Sequence, residues 1–322
     1  MATPKLLVVI GATGVQGSSI ISHFLEPEQG YRIRGLTRDS TSNKATALAK
    51  QGVEIVKANL NNVASLRAAF EGANAIFAFT DSAGAVYAAE TQEILKAHPE
   101  KDLAEAAAIA EFQQGKNIAD AAASVGTNLE RLVWSTLPDP VRHSKGKFPV
   151  VHELQAKARV LDYMHMLPEL VDKVSSTTFS VFTNSIYRGP EVFGWTKQSD
   201  GEYVLRVPCP TDVLFPWIHM ERDAGSYVAA LLQAPAGTHA AVVGGLLSYD
   251  QVAALISTKL GVIVRAESVS LEEYAQGNAV MRDVGLLLRY VLEYGVEDSS
   301  KEMVTPQEVR AADICNWTVG RG

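Results

Sequence analysis

The chain has 322 residues, of which 47% are apolar and 20% are charged, and it contains 24 glycines and 13 prolines. This composition excludes a disordered, collagen-like or low-complexity protein and predicts a globular α/β protein with a sizeable core. The formal net charge of -7 at pH 7 provides no broad basic face. We therefore expect no nucleic acid partner.

Cysteine and histidine positions give no sign of a metal site. Cys209 and Cys315 lie far apart, and the seven histidines show no H-x-x-x-H spacing. We predict no disulfide framework and no bound metal. Residues 1–10 lack the features of a cleavable leader, and no apolar run reaches the roughly 18 residues of a membrane span. We expect a cytoplasmic protein that contacts no membrane.

The first half of the sequence alternates predicted strands and helices. Residues 5–10 form a continuous apolar run, which is typical of a strand buried on both faces of a parallel sheet. A glycine-rich turn follows. Further strands are predicted at 31–36, 53–56 and 75–79, and helices at 18–25, 43–50 and 64–70. This alternation with short connections indicates right-handed βαβ units and a doubly wound parallel sheet.

The pattern loosens after the fourth strand, and we predict an insertion above the sheet at about 82–111. A long helix is predicted at 103–124, and later elements at 131–135 (strand), 153–165 (helix) and 178–183 (strand). Helices predicted at 222–233, 249–259 and 280–294 are assigned to a smaller α/β lobe. The predicted organisation is a first domain at 1–185 and a smaller substrate lobe at 186–322, interleaved with the first.

Residues 11–17 read G-x-x-G-x-x-G between the first strand and the first helix. Glycines allow a tight turn and a close approach of backbone N–H groups to a pyrophosphate, and a helix N-terminus favours negative charge. An ordinary glycine-bearing turn is the alternative, but the flanking strand and helix favour an NAD(P)-binding Rossmann fold. The predicted cofactor contacts in this turn are Gly11, Thr13, Gly14, Val15, Gln16 and Gly17.

The end of the second strand bears on which dinucleotide is bound. A carboxylate there accepts from adenosine ribose hydroxyls, whereas an arginine matches a 2′-phosphate. Here the strand ends at Thr37 and is followed by Arg38 and Asp39. We predict that NADP(H) is preferred and that NAD(H) is possible, since Asp39 could pair with Arg38 or serve NAD, and Arg38 could be a solvated surface residue. Additional predicted cofactor contacts are Asn59, Phe79 and Thr80.

Several motifs together resemble the NmrA-like family of atypical short-chain dehydrogenases. They are GATGVQG at 11–17, Thr-Arg after the second strand, FQQGKNIADAA at 112–122, and FPWI at 215–218 leading to RDAG at 222–225. The resemblance implies a Rossmann domain with a small C-terminal lobe that uses or senses NAD(P). Relatives in this family include redox-responsive regulators, quinone reductases and isoflavone-reductase-like enzymes, some of them in specialised metabolism.

The usual active site of short-chain dehydrogenases pairs a tyrosine with a lysine four residues later, so that the ammonium lowers the pKa of the phenol. Lys157 stands in the matching region, but Glu153 takes the tyrosine position, and Tyr163 follows Lys157 by six residues. Two interpretations follow. In the first, which the isoflavone-reductase relatives imply, Lys157 acts as an acid or as a ribose clamp, and His152 or Glu153 exchanges the proton. Alternatively the site is catalytically empty, and Lys157 only binds dinucleotide or pairs with Glu153.

Polar residues after the fifth and sixth predicted strands are further candidates. Ser135 is a candidate catalytic hydrogen-bond donor, and Thr136, Asn184 and Tyr187 are candidate substrate contacts, because ligands collect at the carboxyl ends of parallel strands. Three functions stay open. They are an NADP(H)-dependent oxidoreductase reducing a carbonyl, enone, imine or quinone of an apolar small molecule, an NAD(P)-sensing regulator that binds a protein partner without turnover, and a redox-neutral acid–base isomerase.

Overall fold

The computed structural model describes residues 4–183 and 195–296. The strands are β1 (Lys5–Val9), β2 (Tyr31–Thr37), β3 (Glu54–Lys57), β4 (Ala75–Ala78), β5 (Arg131–Ser135), β6 (Val174–Phe179), β7 (Val181–Phe182), β8 (Trp195–Lys197), β9 (Tyr203–Val207), β10 (Phe215–Ile218), β11 (His239–Val242), β12 (Gly245–Leu247) and β13 (Val264–Ser268).

Helices connect most of these strands. They are α1 (Val15–Phe24), α2 (Asn43–Lys50), α3 (Val63–Phe70), α4 (Ser82–Val86), α5 (Ala89–Ala97), α6 (Leu103–Ala123), α7 (Pro140–His143), α8 (His152–Met166), α9 (Met220–Gln233), α10 (Tyr249–Leu260), α11 (Leu271–Ala275) and α12 (Ala279–Tyr294). Short 3₁₀ turns lie at Pro27–Gln29 and Gly126–Asn128. No described helix is long and apolar enough to cross a membrane.

Seven strands form one parallel sheet in the order β3-β2-β1-β4-β5-β6-β11. The chain moves outward from β1 to β3 and then returns to the other side of β1 with β4. The strand order therefore reverses between β1 and β4, which is the switch point where ligands bind in open α/β sheets. This topology confirms the predicted doubly wound Rossmann fold.

Both faces of the sheet are covered because alternate residues of β1 enter different cores. Leu6 and Val8 pack with apolar residues of α3, α6 and α8, whereas Leu7 and Val9 pack with α1 and α9. A strand that is apolar at every position fits this arrangement, since each of its faces meets a helix layer. The continuous run at 5–10 therefore predicted burial on both sides correctly.

A smaller lobe carries two three-stranded sheets, β12-β10-β7 and β13-β9-β8. Its core joins these strands to α10 and α12 through buried side chains such as Trp217, Tyr249 and Tyr290. β11 lies between the elements of this lobe in the sequence but pairs with β6 in the large sheet. The chain thus passes from the lobe back to the Rossmann sheet, and the boundary at residue 185 stays a prediction.

The predicted helices overlap the observed ones, and α2 has the predicted bounds. The strand predicted at 178–183 is instead two strands, β6 and β7. The segment predicted as an insertion contains α4, α5 and the beginning of α6, and both short helices pack against α6.

Candidate functional site

The glycine turn between β1 and α1 is built by backbone-to-backbone contact. Gly11 has φ of +64°, a conformation that favours glycine. A Cβ placed on Gly17 would lie 2.2 Å from the carbonyl oxygen of Gly11, so no larger residue fits there. Gly14 is the N-cap of α1 and has no side chain to cap the helix. The first N–H groups of α1 are therefore left for a ligand.

Two concave regions meet at this turn. The outer groove, about 720 Å³, is lined by Gly11, Thr13, Gly14, Arg38, Asn59 and Phe79 together with α4 and the turn after it. The inner cavity, about 460 Å³, is lined by Gly14, Val15, Gln16, Phe79, Thr80 and the ends of β5 and β6. Because Gly14, Phe79 and Asp81 line both regions, the two adjoin at the carboxyl ends of the strands, and together they are called the cleft.

The turn fits a dinucleotide by two observations. The close packing of Gly17 on Gly11 leaves the helix N-terminus open to an anion. Gln16 has a buried side-chain oxygen with no hydrogen-bond partner among the described residues, and it lines the inner cavity beside Gly14 and Val15. A ligand that donates a hydrogen bond there would satisfy that oxygen.

The outer groove carries two cations beside the end of β2. Arg38 and Lys44 both line it, and neither has an ion pair within residues 4–183 and 195–296. Asp39 does not pair with Arg38. Its carboxylate accepts from the hydroxyl (2.6 Å) and the backbone N–H (2.9 Å) of Thr41, and these bonds hold its pKa below the ordinary value. Asp39 thus belongs to a local turn, and Lys44 is a cation that sequence analysis missed.

The QGKN run stabilises the far wall of this groove. Asn117 on α6 donates to the carbonyl of Leu60 (2.8 Å) and accepts from Gln113 (2.9 Å). Leu60 lies in the loop that presents Asn59 to the groove. Elsewhere on the same helix, Lys116 donates to the hydroxyl of Tyr163 (2.9 Å). Tyr163 is therefore held on the α6 side of α8 and does not line the inner cavity.

Lys157 lies in the inner cavity and is bonded on the α6 side. Its ammonium donates to the carbonyl of Thr80 (2.9 Å), to the hydroxyl of Thr80 (3.3 Å) and to Glu111. The side chains of Lys157 and Glu111 are only 10% and 2% exposed. Glu111 also accepts from Thr80 (2.7 Å) and Ser82 (3.1 Å). The ion partner of Lys157 is thus Glu111 and not Glu153.

Glu111 was absent from the residues predicted from sequence. Its position in the sequence could have identified it, because Glu111 falls on the buried face of α6 that also carries Ala104, Ala107 and Ile118. A carboxylate at a core position of a helix needs a charged partner. Lys157 of α8 is the partner of Glu111, and the two helices pack closely because residue 115 of α6 is a glycine. A Cβ at Gly115 would lie 2.3 Å from Val160 of α8. Helices α6 and α8 therefore touch one turn beyond the Lys157–Glu111 pair.

Glu153 lines the inner cavity, and the pKa of its carboxyl is well above the ordinary value. Burial raises the pKa of its carboxyl to about 7; Lys157 opposes the shift, and the carboxylates of Glu111 and Asp283 add to it. Asp283 on α12 accepts from the backbone N–H groups of His152 (2.7 Å) and Glu153 (3.0 Å). The N-terminus of α8 is therefore capped by a residue of the smaller lobe. The side chain of His152 does not line the inner cavity.

The ends of β5 and β6 complete the cavity. Ser135 and Thr136 both line it and are nearly buried. Thr136 donates to backbone carbonyls, including that of Lys157 (3.4 Å), whereas the hydroxyl of Ser135 has no hydrogen bond within the described chain. Leu137, Leu154, Phe179, Phe182, Leu287 and Val291 supply apolar walls.

Asn184 and Tyr187 lie outside the described residues. Within the described residues, no group of three or more His, Cys, Asp or Glu is arranged to hold a metal.

The sequence matches a family model described as the NmrA-like family over residues 3–302. An NmrA-like family domain-containing oxidoreductase of Malbranchea aurantiaca is 28% identical over 257 residues, covering 77% of this chain and 70% of that protein. A protein of the same description from Aspergillus campestris is 27% identical over 276 residues, covering 82% of this chain and 75% of that protein.

Solved structures share the fold at lower identity. NmrA, a negative transcriptional regulator in complex with NADP, superimposes with a TM-score of 0.67 at 20% identity, covering 100% of this chain and 93% of that one. The NADPH-dependent quinone oxidoreductase QOR2 of Escherichia coli, complexed with NADPH, gives 0.64 at 15% identity, covering 91% and 92%. These likenesses show a common Rossmann-type architecture with an added lobe.

Proposed function

The chain belongs to the NmrA-like family, and on that premise we propose that it is an NADP(H)-dependent oxidoreductase acting on an apolar small molecule. The reducible group is a carbonyl, enone, imine or quinone. The observation that carries the proposal is that the two regions adjoin: Arg38 lies in the outer groove, Lys157 and Glu153 line the inner cavity, and the glycine turn lies between them. Relatives named as oxidoreductases support it.

The residues present fit a dinucleotide in this cleft. Gly11, Gly14 and the N-terminus of α1 would hold the pyrophosphate, and Arg38 with Lys44 would contact the 2′-phosphate. Solved relatives of this fold bind NADP, NADPH or NAD, which supports the assignment. When bound, the nicotinamide supplies a hydride.

The chain's own residues prepare the acceptor end of the cleft. Lys157 is fixed by Thr80 and Glu111 and places a positive charge beside the cavity. Glu153, with a pKa of about 7, carries a proton in part of the molecules at neutral pH and releases it to the substrate. The hydroxyl of Ser135 orients the reacting oxygen or nitrogen. The apolar walls from Phe179, Leu287 and neighbouring residues exclude water and select an apolar body.

The proposal is tested first by titration calorimetry with NADPH, NADP⁺, NADH and NAD⁺ in one buffer. Tighter binding of the phosphorylated pair is expected. Arg38→Ala should weaken NADPH by about tenfold or more, because a charge-assisted contact is lost, and should leave NADH nearly unchanged. Lys50→Ala, an exposed cation of α2, is the matched control. Equal losses for NADPH and NADH in Arg38→Ala would refute the phosphate contact.

Turnover is then measured as consumption of NADPH with a panel of apolar carbonyls, enones, imines and quinones. Glu153→Gln should lose most of the activity while retaining NADPH binding. Wild-type activity in that variant would refute the role of Glu153 as the proton donor.

A second function, an NAD(P)-sensing regulator, is favoured by two observations. No tyrosine of the described chain lines the inner cavity, and the ammonium of Lys157 is already bonded to Thr80 and Glu111. A sensor binds dinucleotide tightly, does not consume it and presents a surface to a protein partner. A redox-neutral isomerase is separated from both by turnover that depends on Glu153 with no change in NADPH.

A further inference from the structure

A second cavity of about 850 Å³ lies apart from the cleft. It is open to solvent and is bordered by residues 147–150 before α8, residues 208–210 after β9, the end of β13 and one face of α12. No residue lining it lines the inner cavity or the outer groove. The second cavity is therefore a separate concave site.

Most of its surface is apolar. Phe148, Val150, Val269, Leu286 and Leu292 line it, and Val150 is 45% exposed although it is an aliphatic residue. Small-molecule sites of this kind combine a hydrophobic wall with a few polar groups that fix orientation.

The polar groups of the second cavity are mainly cationic. Arg282 and Arg289 lie two turns apart on α12. Arg289 uses its Nε to donate to the carbonyl of Pro208 (2.8 Å), whereas the guanidinium of Arg282 has neither an ion pair nor a hydrogen bond within the described chain. Lys147 is neutralised by Glu293. The two arginines thus leave an excess of positive charge on a chain whose net charge is -7.

The thiol of Cys209 does not offset this charge. Burial raises its pKa to about 11, and Arg289 opposes the shift. The group is therefore a neutral part of the wall at physiological pH.

We propose that the second cavity binds a small organic anion with an apolar body. Its carboxylate or sulfonate contacts Arg282 and Arg289, whose guanidinium groups match such acceptors in a bidentate manner. Its apolar part lies against Phe148, Val150 and Leu286. The residues of this site are distinct from those that line the dinucleotide cleft.

The test uses the fluorescence of 1-anilinonaphthalene-8-sulfonate as the probe on the full chain. Saturable binding of one equivalent is expected. Arg282→Gln/Arg289→Gln should weaken it by about tenfold or more, because charge-assisted contacts are lost. Arg282→Gln alone breaks no hydrogen bond within the described chain and should weaken it several-fold, which keeps the test valid if the double variant fails to fold. The control, Arg265→Gln, removes an exposed cation of β13 and should change the affinity less than twofold.

Two further arms identify the site and the chemistry. If Arg38→Gln weakens the probe and Arg282→Gln does not, the probe lies in the outer groove and the proposal is overturned. Octanoate should displace the probe at concentrations where 1-octanol does not. Equal displacement by both compounds, or no saturable binding by the wild-type chain, also overturns the proposal.

Discussion

Lys157 and Glu111 form a buried ion pair whose halves come from α8 and α6. Removing one partner leaves an uncompensated buried charge, so Lys157→Met and Glu111→Gln should each lower the free energy of unfolding by about 3–5 kcal/mol. The double variant should lose less than the sum of the two, since neither charge is then left alone. Urea unfolding at pH 7 measures all three.

A more accessible pair at the beginning of the same helix provides the control. Glu105→Gln breaks the ion pair with Lys101 at the beginning of α6 and should cost less than about 1 kcal/mol. Additive losses in Lys157→Met/Glu111→Gln, or a loss in Glu111→Gln no larger than that in Glu105→Gln, would contradict a buried and coupled pair.

Glu153 makes stability depend on pH. Its carboxyl has a pKa near 4.5 when unfolded and about 7 when folded, so the folded state keeps a proton that the unfolded state has lost between these values. The stabilisation is fully present below pH 4.5 and is lost as the pH rises through 7. Glu153→Gln should therefore gain stability relative to the wild type between pH 5 and pH 8.

Urea midpoints at pH 5, 6, 7 and 8 measure this difference. Glu169→Gln, at an exposed position after α8, should follow the wild type across the range. A constant offset between Glu153→Gln and the wild type at every pH would show that Glu153 titrates alike in both states.

At the scale of elements, the N-terminus of α8 depends on a side chain 130 residues away. Val151, the N-cap, supplies no side-chain bond, and Asp283 of α12 takes its place. Asp283→Ala should cost about 1–2 kcal/mol of stability as a lost cap. It should also lower the pKa of Glu153, because the Asp283 carboxylate contributes to raising it.

The matched variant is Asn278→Ala, which removes the cap of α12 (2.9 Å to Val280 N) without touching α8. It should lose similar stability and leave the pH dependence of unfolding unchanged. If both variants shift that pH dependence equally, Asp283 acts only through general loosening of α12.

Strand prediction failed where buried residues are polar. Ser175, Ser176 and Thr177 of β6 are all nearly inaccessible, and Ser176 is bonded to His239 of β11 (2.8 Å). Hydrophobic periodicity predicts that a run of serines and threonines is exposed. Its burial could not be predicted, because the hydrogen-bond partner lies on β11, a strand that sequence analysis did not predict. The apolar runs of β1, β4 and β5 needed no such partner and were predicted.

The candidate site also contains residues that the local sequence predicts and residues that it does not. The glycine turn and Arg38 are local in sequence, and their places follow from a strand, a turn and a helix. Glu111 and Asp283 contribute through contacts between distant elements, and nothing in their local sequence identifies the partner. Only Glu111 left a trace, as a carboxylate in an apolar helical stripe.

At the scale of the whole molecule, the Rossmann sheet is completed by the second half of the chain. β11 pairs with β6, and α9 covers α1, where Ser19 donates to the carbonyl of Met220. A chain ending at residue 185 would expose the α1 face, so we expect it to lack cooperative thermal unfolding by circular dichroism.

Adding a separate fragment of residues 186–322 should restore the transition, because it returns β11 and α9. A chain of residues 1–185 that unfolds cooperatively at the wild-type temperature would instead show an autonomous first domain.

Helix α12 lies between the inner cavity and the second cavity. Leu287 and Val291 face the inner cavity, while Leu286 and Arg289 face the second cavity. If a ligand in one cavity displaces α12, the volume of the other cavity changes. Thermodynamic reciprocity then requires that each occupant alter the affinity of the other by the same factor.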